Sequence, residues 1–371
     1  MKRVLIINSS CGVGSVGRIC INFAKQYESK GYEVKITYGR DLVVPKEYEK
    51  YAVKIGNRAN LVSHMIYSRL TDKHGFASRR ATKKFLEWAD IYNPDIIFLH
   101  NVHGYYINIE MLFRWIKKHP ERKYRWMLHD CWSFTGHCSY FSFERCEKWK
   151  TQCGECELIK KYPASLFCDN SEWNYKKKKE LFTGVRNMTL VTPSYWLANL
   201  VSESFLKHYP VDVIHNQVNE AVFRPTKSEL RKQFGLNDRI ILLGVAFKWT
   251  KYKGLDDFIE LSFRLPEEYC IVLIGLDKKQ CRRMPSKILP IERIEDMHEL
   301  AAWYTTADLY VNLSVQETFG MTTLEAMHCG TKALVYKETA GEEVIKGTDS
   351  RSVARDMSLL VDTILKMTKT D

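Results

Sequence analysis

Short apolar runs of strand length alternate with longer segments whose apolar residues recur every three or four positions. In the first half the runs are RVLIIN from Arg3, EVKITY from Glu33, DIIFLH from Asp95, YRWMLH from Tyr124 and MTLVTP from Met188. In the second half they are RIILLGVAF from Arg239, YCIVLIG from Tyr269, LYVNLS from Leu309 and KALVYK from Lys332. Strands alternating with helices predict an α/β protein of parallel sheets with covering helices, one doubly wound Rossmann-like unit in each half. The pattern leaves regular structure near Asn216 and Pro225, which puts a first domain at 1–212 and a second at 213–350. Ser352 to Met367 reads as one amphipathic helix, closing the chain over 351–371. Ligands of such sheets bind at the carboxyl ends of the strands, so two units with facing carboxyl edges would make a cleft.

At 371 residues the chain is long enough for two such domains, and 45% hydrophobic with 27% charged residues is ordinary globular composition. No run reaches the ~18–20 apolar residues of a membrane span. The opening MKRVLIINSS reads as a strand and turn rather than a cleaved leader. With eleven cysteines it suggests a reducing, cytoplasmic setting. A net charge of +12 calls for anionic partners. Much of it lies along 58–84, at Arg58, Arg69, Lys73, Arg79, Arg80, Lys83 and Lys84 on one expected helical stretch, and in the run Lys176 to Lys179. Either these are solvated helix faces, or the first stretch docks on the anionic inner leaflet of a membrane. Leu61, Met65, Ile66, Leu70 and Phe76 favour docking, and so a peripheral association with the inner membrane. No nucleic-acid-binding signature accompanies the charge, so no nucleic-acid partner is expected.

Gly12, Gly14 and Gly17 follow the first strand and open a helix in G-x-G-x-x-G spacing. Such a loop suits phosphate held on helix amides, or it answers only to a tight turn. Alone it predicts a dinucleotide enzyme. The second strand ends at Gly39, Arg40 and Asp41, where Arg40 would meet a 2′-phosphate, so an NADP-dependent oxidoreductase is the rival reading.

The stretch QETFGMTTLEAM, Gln316 to Met327, is more specific. Glu317 and Phe319-Gly320 form a turn after a strand, and a helix follows from about Thr322 to His328 with Gly330 as its stop. Thr322 and Glu325 have capping-box spacing. The same helix end would aim the amides of Met321, Thr322 and Thr323 at an anion, with Glu317 and Glu325 beside it for sugar and ribose hydroxyls. Upstream, Lys248, Lys251 and Lys253 stand between a strand and the next helix, where lysines would neutralise a diphosphate. Lys253 sits at a helix start, against the dipole, and so asks for a reason.

ADLYVNLSVQETFGMTTLEAMHCGTKALVY, with KGLDDF before it, resembles the retaining nucleotide-sugar glycosyltransferases of the GT-B fold, the group with two glutamates separated by seven residues. NSSCGVGSVGRI, LHNVHGYY, LHDCWSFTGHC, PSYWLANL and VIHNQVNEAVF extend the likeness to polysaccharide-building members over most of the chain. The resemblance implies that Glu317 binds donor-sugar hydroxyls and Glu325 the nucleoside ribose. Phe319 belongs to the same donor loop, and the amides of Gly320, Met321 and Thr322 meet sugar and phosphate. It puts Lys253 on the diphosphate, with Lys248 where the group carries an arginine, and lays the Gly12–Gly17 loop over the diphosphate. His129 matches the histidine that contacts the sugar, Asp130 would orient it or an acceptor hydroxyl, and Asn101 and His103 would face the acceptor.

No aspartates occur at D-x-D spacing, so no catalytic metal is expected. Retention by same-face attack, with the departing phosphate oxygen taking the acceptor proton, is implied by the resemblance. Cys138, Cys146, Cys153 and Cys156, inside a cysteine-rich loop over 131–168, end in C-x-x-C. A structural zinc, disulfides or unliganded thiols are the alternatives, with Cys131 and Cys168 as further candidates. The leading expectation is a hexosyltransferase taking a UDP- or GDP-linked sugar to a saccharide, lipid-linked acceptor in surface polysaccharide synthesis. A non-catalytic GT-B partner subunit is the other alternative to the oxidoreductase.

Overall fold

The computed structural model describes residues 1–368. It divides into two units, one of residues Met1–Pro193 and Leu197–Ile214, the other of Ser194–Trp196 and His215 onward.

In the first unit seven parallel strands form one sheet. They are β1 (Arg3–Ile7), β2 (Glu33–Tyr38), β3 (Ala52–Lys54), β4 (Ile96–Leu99), β5 (Lys123–Met127), β6 (Met188–Thr192) and β7 (Val211–Val213), in the order β3-β2-β1-β4-β5-β6-β7. The second unit holds β8 (Ile240–Val245), β9 (Tyr269–Ile274), β10 (Ile288–Ile291), β11 (Leu309–Asn312), β12 (Ala333–Tyr336) and β13 (Arg351–Val353), in the order β10-β9-β8-β11-β12-β13. Val4 to Ile7 and Ile241 to Leu243 are wholly buried, as strands covered on both faces require. Trp249, Phe258 and Leu261 fill one side of the second sheet, and Trp303, Tyr304 and Ala326 the other.

The chain order reverses between β1 and β4 in the first sheet and between β8 and β11 in the second. A reversal sends the two connecting helices to opposite faces and leaves the loops at the strand ends parted, which is where open α/β sheets take ligands. The loops there are the ones after β1, β4, β8 and β11.

Three expectations change. Ser352 and Val353 lie in β13, and the terminal helix spans Met357–Thr368, turning Leu360 and Ile364 into the core. The basic stretch is two helices, Arg58–Thr71 and Arg79–Tyr92, parted at Asp72 in left-handed backbone (φ 55°). Phe76, between them, is buried, so it is no part of an exposed apolar face. Lys178, counted in a solvated lysine run, is fully buried.

Gly254 joins the turn Lys251–Lys253 to the helix Leu255–Arg264 at φ 78°, and a Cβ there would stand 2.5 Å from both the Cβ and the carbonyl oxygen of Leu313. The loop after β8 is thereby pressed onto the exit of β11. Gly254→Ala should destabilise the second unit by about 1–3 kcal/mol through clash and left-handed strain. The check is the urea midpoint read from Trp249 and Trp303 fluorescence.

Candidate functional site

At the carboxyl end of β11 the backbone turns on Gly320 (φ 99°), and the helix Met321–His328 starts with no side chain capping its first turn. The expected capping box is not formed. Thr322 Oγ1 instead accepts the Tyr310 hydroxyl at 2.7 Å, and Glu325 Oε2 accepts the Tyr304 hydroxyl at 2.9 Å. Burial first, and the Glu325 carboxylate after it, hold the Tyr304 phenol far above its usual range, so it stays a donor. Asn312, the last residue of β11, accepts the Ser314 amide and donates to Thr323 Oγ1, both at 3.0 Å. These side chains take up the polar groups a capping box would have used.

Glu317 and Lys253 meet at 2.9 Å, the carboxylate mostly covered and the lysine about a third exposed. That ion pair is the reason for a cation at the start of the helix after Gly254. Phe319 is buried, with its ring 5.6 Å from that of His215, so its backbone rather than its side chain faces outward chemistry. Lys248 is exposed, as is Phe247 beside it, whose ring lies under the Arg293 guanidinium at 4.2 Å. Glu317, Lys253, Gly320, Met321, Thr322 and Glu325 are therefore brought together in the second unit.

In the first unit Gly12 and Gly14 take positive φ, and Gly17 packs against Ser10 and the Gly12 backbone. The helix Gly14–Glu28 starts at Val13 without a side-chain cap. Asn101 is fixed through its backbone, its N–H on Asn8 Oδ1 and its carbonyl under the Tyr106 hydroxyl.

The histidines pair differently from expectation. His129 Nε2 lies 2.9 Å from His100 Nδ1 with the rings stacked, a contact that one hydrogen can bridge only while the accepting ring stays uncharged. Asp130 is not the partner of His129. Its Oδ2 stands 2.9 Å from His103 Nε2, and its Oδ1 accepts the Trp132 amide. Burial raises the Asp130 carboxyl, but His103 and the Trp132 amide outweigh it and hold it below the usual range. Sequence adjacency pointed to His129; the alternation of directions along an extended segment sends Asp130 the other way.

Lys178, in the sequence only one member of a charge run, has a specific role. Its Nζ donates to the carbonyls of Trp132 and Thr135 at 2.7 and 2.9 Å and sits 3.5 Å over the Trp132 ring, and burial pushes its pKa down to about 7. Only its place opposite the aromatic segment WSF could have hinted at this.

Cys138, Cys146, Cys153 and Cys156 line one cavity with Phe141, Trp149 and Leu158, and all are free thiols. Among the described residues no three His, Cys, Asp or Glu side chains are arranged to hold a metal, so of the three alternatives the arrangement matches unliganded thiols. Burial pushes the Cys153 thiol up to about 11 and Cys156 to about 12, and holds Cys138 well above its usual range.

Burial pushes His129 down to about 4, with His103 adding to it and Asp130 opposing. The unfolded ring protonates near 6.5 and the folded ring only near 4. The unfolded chain thus binds the extra proton across that window, and stability should fall as pH drops through it, by about 3 kcal/mol at its foot. Melting temperature against pH, compared with His129→Gln, checks this: the variant should show a shallower acid slope.

Residues 237–370 match the family model "Glycosyl transferases group 1". WcaC of Escherichia coli K12, named as a glycosyl transferase of colanic acid biosynthesis, is 33% identical over 93 residues, 24% of this chain and 22% of that protein. The alpha-galactosylglucosyldiacylglycerol synthase of Streptococcus pneumoniae is 28% identical over 192 residues, 44% of this chain and 51% of that one. The chain thus spans about half the length of one of these curated relatives and about a fifth of the other. Among solved structures, Anabaena HepE in complex with UDP and glucose superposes with a TM-score of 0.65 at 14% identity, covering 99% of this chain and 92% of that one. WaaG, a glycosyltransferase of lipopolysaccharide biosynthesis, gives 0.66 at 14% over 99% and 90%. The two parallel sheets of this chain, with their flanking helices, have the fold of the GT-B glycosyltransferases, and residues 237–370 of its second unit are similar to the group 1 glycosyl transferases.

Proposed function

We propose that this chain is a retaining hexosyltransferase that moves a sugar from a UDP- or GDP-linked donor to a saccharide, lipid-linked acceptor in surface polysaccharide or glycolipid synthesis. The observation that carries the reading is the Glu317–Lys253 pair beside an uncapped helix start, inside the region matched by the glycosyl transferase model. UDP in the HepE structure and the names of WcaC and the diacylglycerol synthase support the donor and acceptor classes.

In this reading the acceptor oxygen attacks the anomeric carbon, the bond from that carbon to phosphate breaks, and the departing phosphate oxygen takes the acceptor proton on the same face. Charge builds on the leaving diphosphate. The Lys253 ammonium and the amides of Gly320, Met321 and Thr322 are fixed before reaction and stabilise it. A partly exposed ion pair contributes only ~0–1 kcal/mol, so Lys253 is readily drawn from Glu317 to a dianionic ligand. That frees Glu317 for sugar hydroxyls, while Glu325, steadied by Tyr304, accepts the ribose. Lys248 is an exposed second cation for the diphosphate. In the first unit the amides at Gly12–Gly17 suit phosphate, and His129, His103, Asp130 and Asn101 serve the sugars. The oxidoreductase alternative accounts for the glycine loop alone.

The nucleotide reading is tested by thermal shift with UDP, GDP, ADP and NADP on the wild type and Glu325→Ala. At 100 times its dissociation constant a ligand adds about 2.7 kcal/mol to the folded state. One nucleoside diphosphate should stabilise the wild type, and much less the variant; stabilisation by NADP alone, equal in both, would sink the transferase.

The proposal extends to peripheral docking on an anionic inner-leaflet surface. On the helix Arg58–Thr71, Val62, Ile66, Tyr67 and Leu70 are exposed among Arg58 and Arg69, and no described helix is long and apolar enough to cross a membrane. Each basic residue near an anionic surface is worth about 1 kcal/mol. The chain should sediment with phosphatidylglycerol vesicles and not with phosphatidylcholine alone, and Ile66→Asp with Leu70→Asp should abolish this. Equal sedimentation with both lipids would remove the electrostatic part of the reading.

A further inference from the structure

The loop after β4 is strained where it passes the end of β2. Gly104 sits at φ 116° and Tyr105 at φ 69°, two consecutive left-handed residues. For a tyrosine this backbone is strained and persists only where the surroundings over-determine it. The reason for Gly104 is steric: a Cβ there would lie 3.3 Å from Ser9 Cβ and 3.4 Å from Arg40 Nε. The missing side chain leaves the space in which the Arg40 guanidinium rests.

Arg40 is held there by its backbone. Its amide donates to the Ser9 carbonyl at 2.9 Å, and Gly39 before it is pressed so closely on Tyr106 that any Cβ would clash. Its side chain is half-buried, yet its neighbour Asp41 is engaged elsewhere, with Lys54 at 2.9 Å and Arg58 at 3.9 Å. Among the described residues Arg40 forms no ion pair. Burial raises the Tyr162 phenol, while the positive charge of the Arg40 guanidinium opposes the rise. The same hydroxyl lies 3.2 Å from His103 Nδ1, whose far nitrogen faces Asp130. The Tyr105 and Tyr162 rings stand edge to face, 6.1 Å apart.

A fixed guanidinium without a carboxylate, a hydroxyl donor beside it, two aromatic rings and a His–Asp pair suit a ligand that is both anionic and polyhydroxylated. We propose that the first unit binds an anionic saccharide, its phosphate or carboxylate received by Arg40 and the Tyr162 hydroxyl and a sugar hydroxyl by His103 and Asp130. This names the acceptor class and rests on the transferase reading only for the word acceptor. Arg40, expected from the sequence to serve an NADP 2′-phosphate, keeps an anion-binding task with a different anion. Its fork of donors fits a carboxylate or phosphate edge, which a lysine at the same place would not.

Isothermal titration of the full chain, with no nucleotide present, tests this with glucose-6-phosphate, glucuronate, glucose and inorganic phosphate. At least one of the two anionic sugars should bind about tenfold or more tighter than glucose, and Arg40→Gln should remove that advantage. Arg40→Lys, which keeps the charge and the packing, should fall between, and UDP binding should be unchanged in both variants. Equal affinity for glucose and both anionic sugars, or an anionic advantage surviving in Arg40→Gln, would overturn the proposal. Inorganic phosphate binding as tightly as the sugar phosphate would overturn the saccharide part and leave a plain phosphate site. Anionic sugar binding without any nucleoside diphosphate binding would leave this inference standing and remove the transferase; the reverse would do the opposite.

Discussion

The second unit's chemistry depends on how β11 is tied to the helix that follows it. Asn312 holds the turn by accepting the Ser314 amide and holds the helix by donating to Thr323, while Tyr310 fixes Thr322. With both threonine hydroxyls engaged from the strand side, neither is left to cap, and the start falls to Gly320, which has no side chain to offer. An uncapped helix start keeps amides and a positive dipole end for whatever arrives. The same tie sets Glu317 within reach of Lys253, because Gly254 presses the preceding loop onto Leu313.

The first unit solves a different problem. Residues 131–168 carry only two short 3-10 turns, Trp132–Phe134 and Lys148–Lys150, so little backbone pairing orders them. Buried polar groups take over. Asp72 receives His137 and the Asn170 amide, Asn174 donates to the Asp72 carbonyl, and Lys178 secures the carbonyls of Trp132 and Thr135. Such networks are costly when incomplete and rigid when complete. A zinc staple is one of the alternatives the cysteines offer for this loop, and in the structure Asp72 and Lys178 order it.

What was legible follows from burial. The nine strands readable as apolar runs include every interior strand of both sheets. The four missed, β3, β7, β10 and β13, are the four edges. An edge strand is covered on fewer sides, so its sequence need not be apolar: Val211–Val213 is only partly buried throughout, and β10 carries Pro290, which an edge tolerates. The Glu317–Glu325 segment was legible because its spacing is set by one turn and one helix. The pairing of Asp130 with His103, of Lys178 with Trp132 and Thr135, and of Arg40 with its surroundings was not, since each partner lies tens of residues away along the chain, across a loop no local pattern describes.

The two units also differ in how their polar groups respond to a ligand. Glu317 and Lys253 form a partly hydrated pair, cheap to exchange for new partners. His64, His74, His100 and His129 are buried and held uncharged well below neutrality, burial being the first cause in each. A ring pushed down to about 4 is a poor proton donor to solvent but a good neutral hydrogen-bond group, with one nitrogen donating and the other accepting. His129 is therefore suited to neutral hydrogen bonding rather than to giving up a proton near neutral pH. The cation that is cheap to exchange, Lys253, and the helix start without a side-chain cap both lie in the second unit.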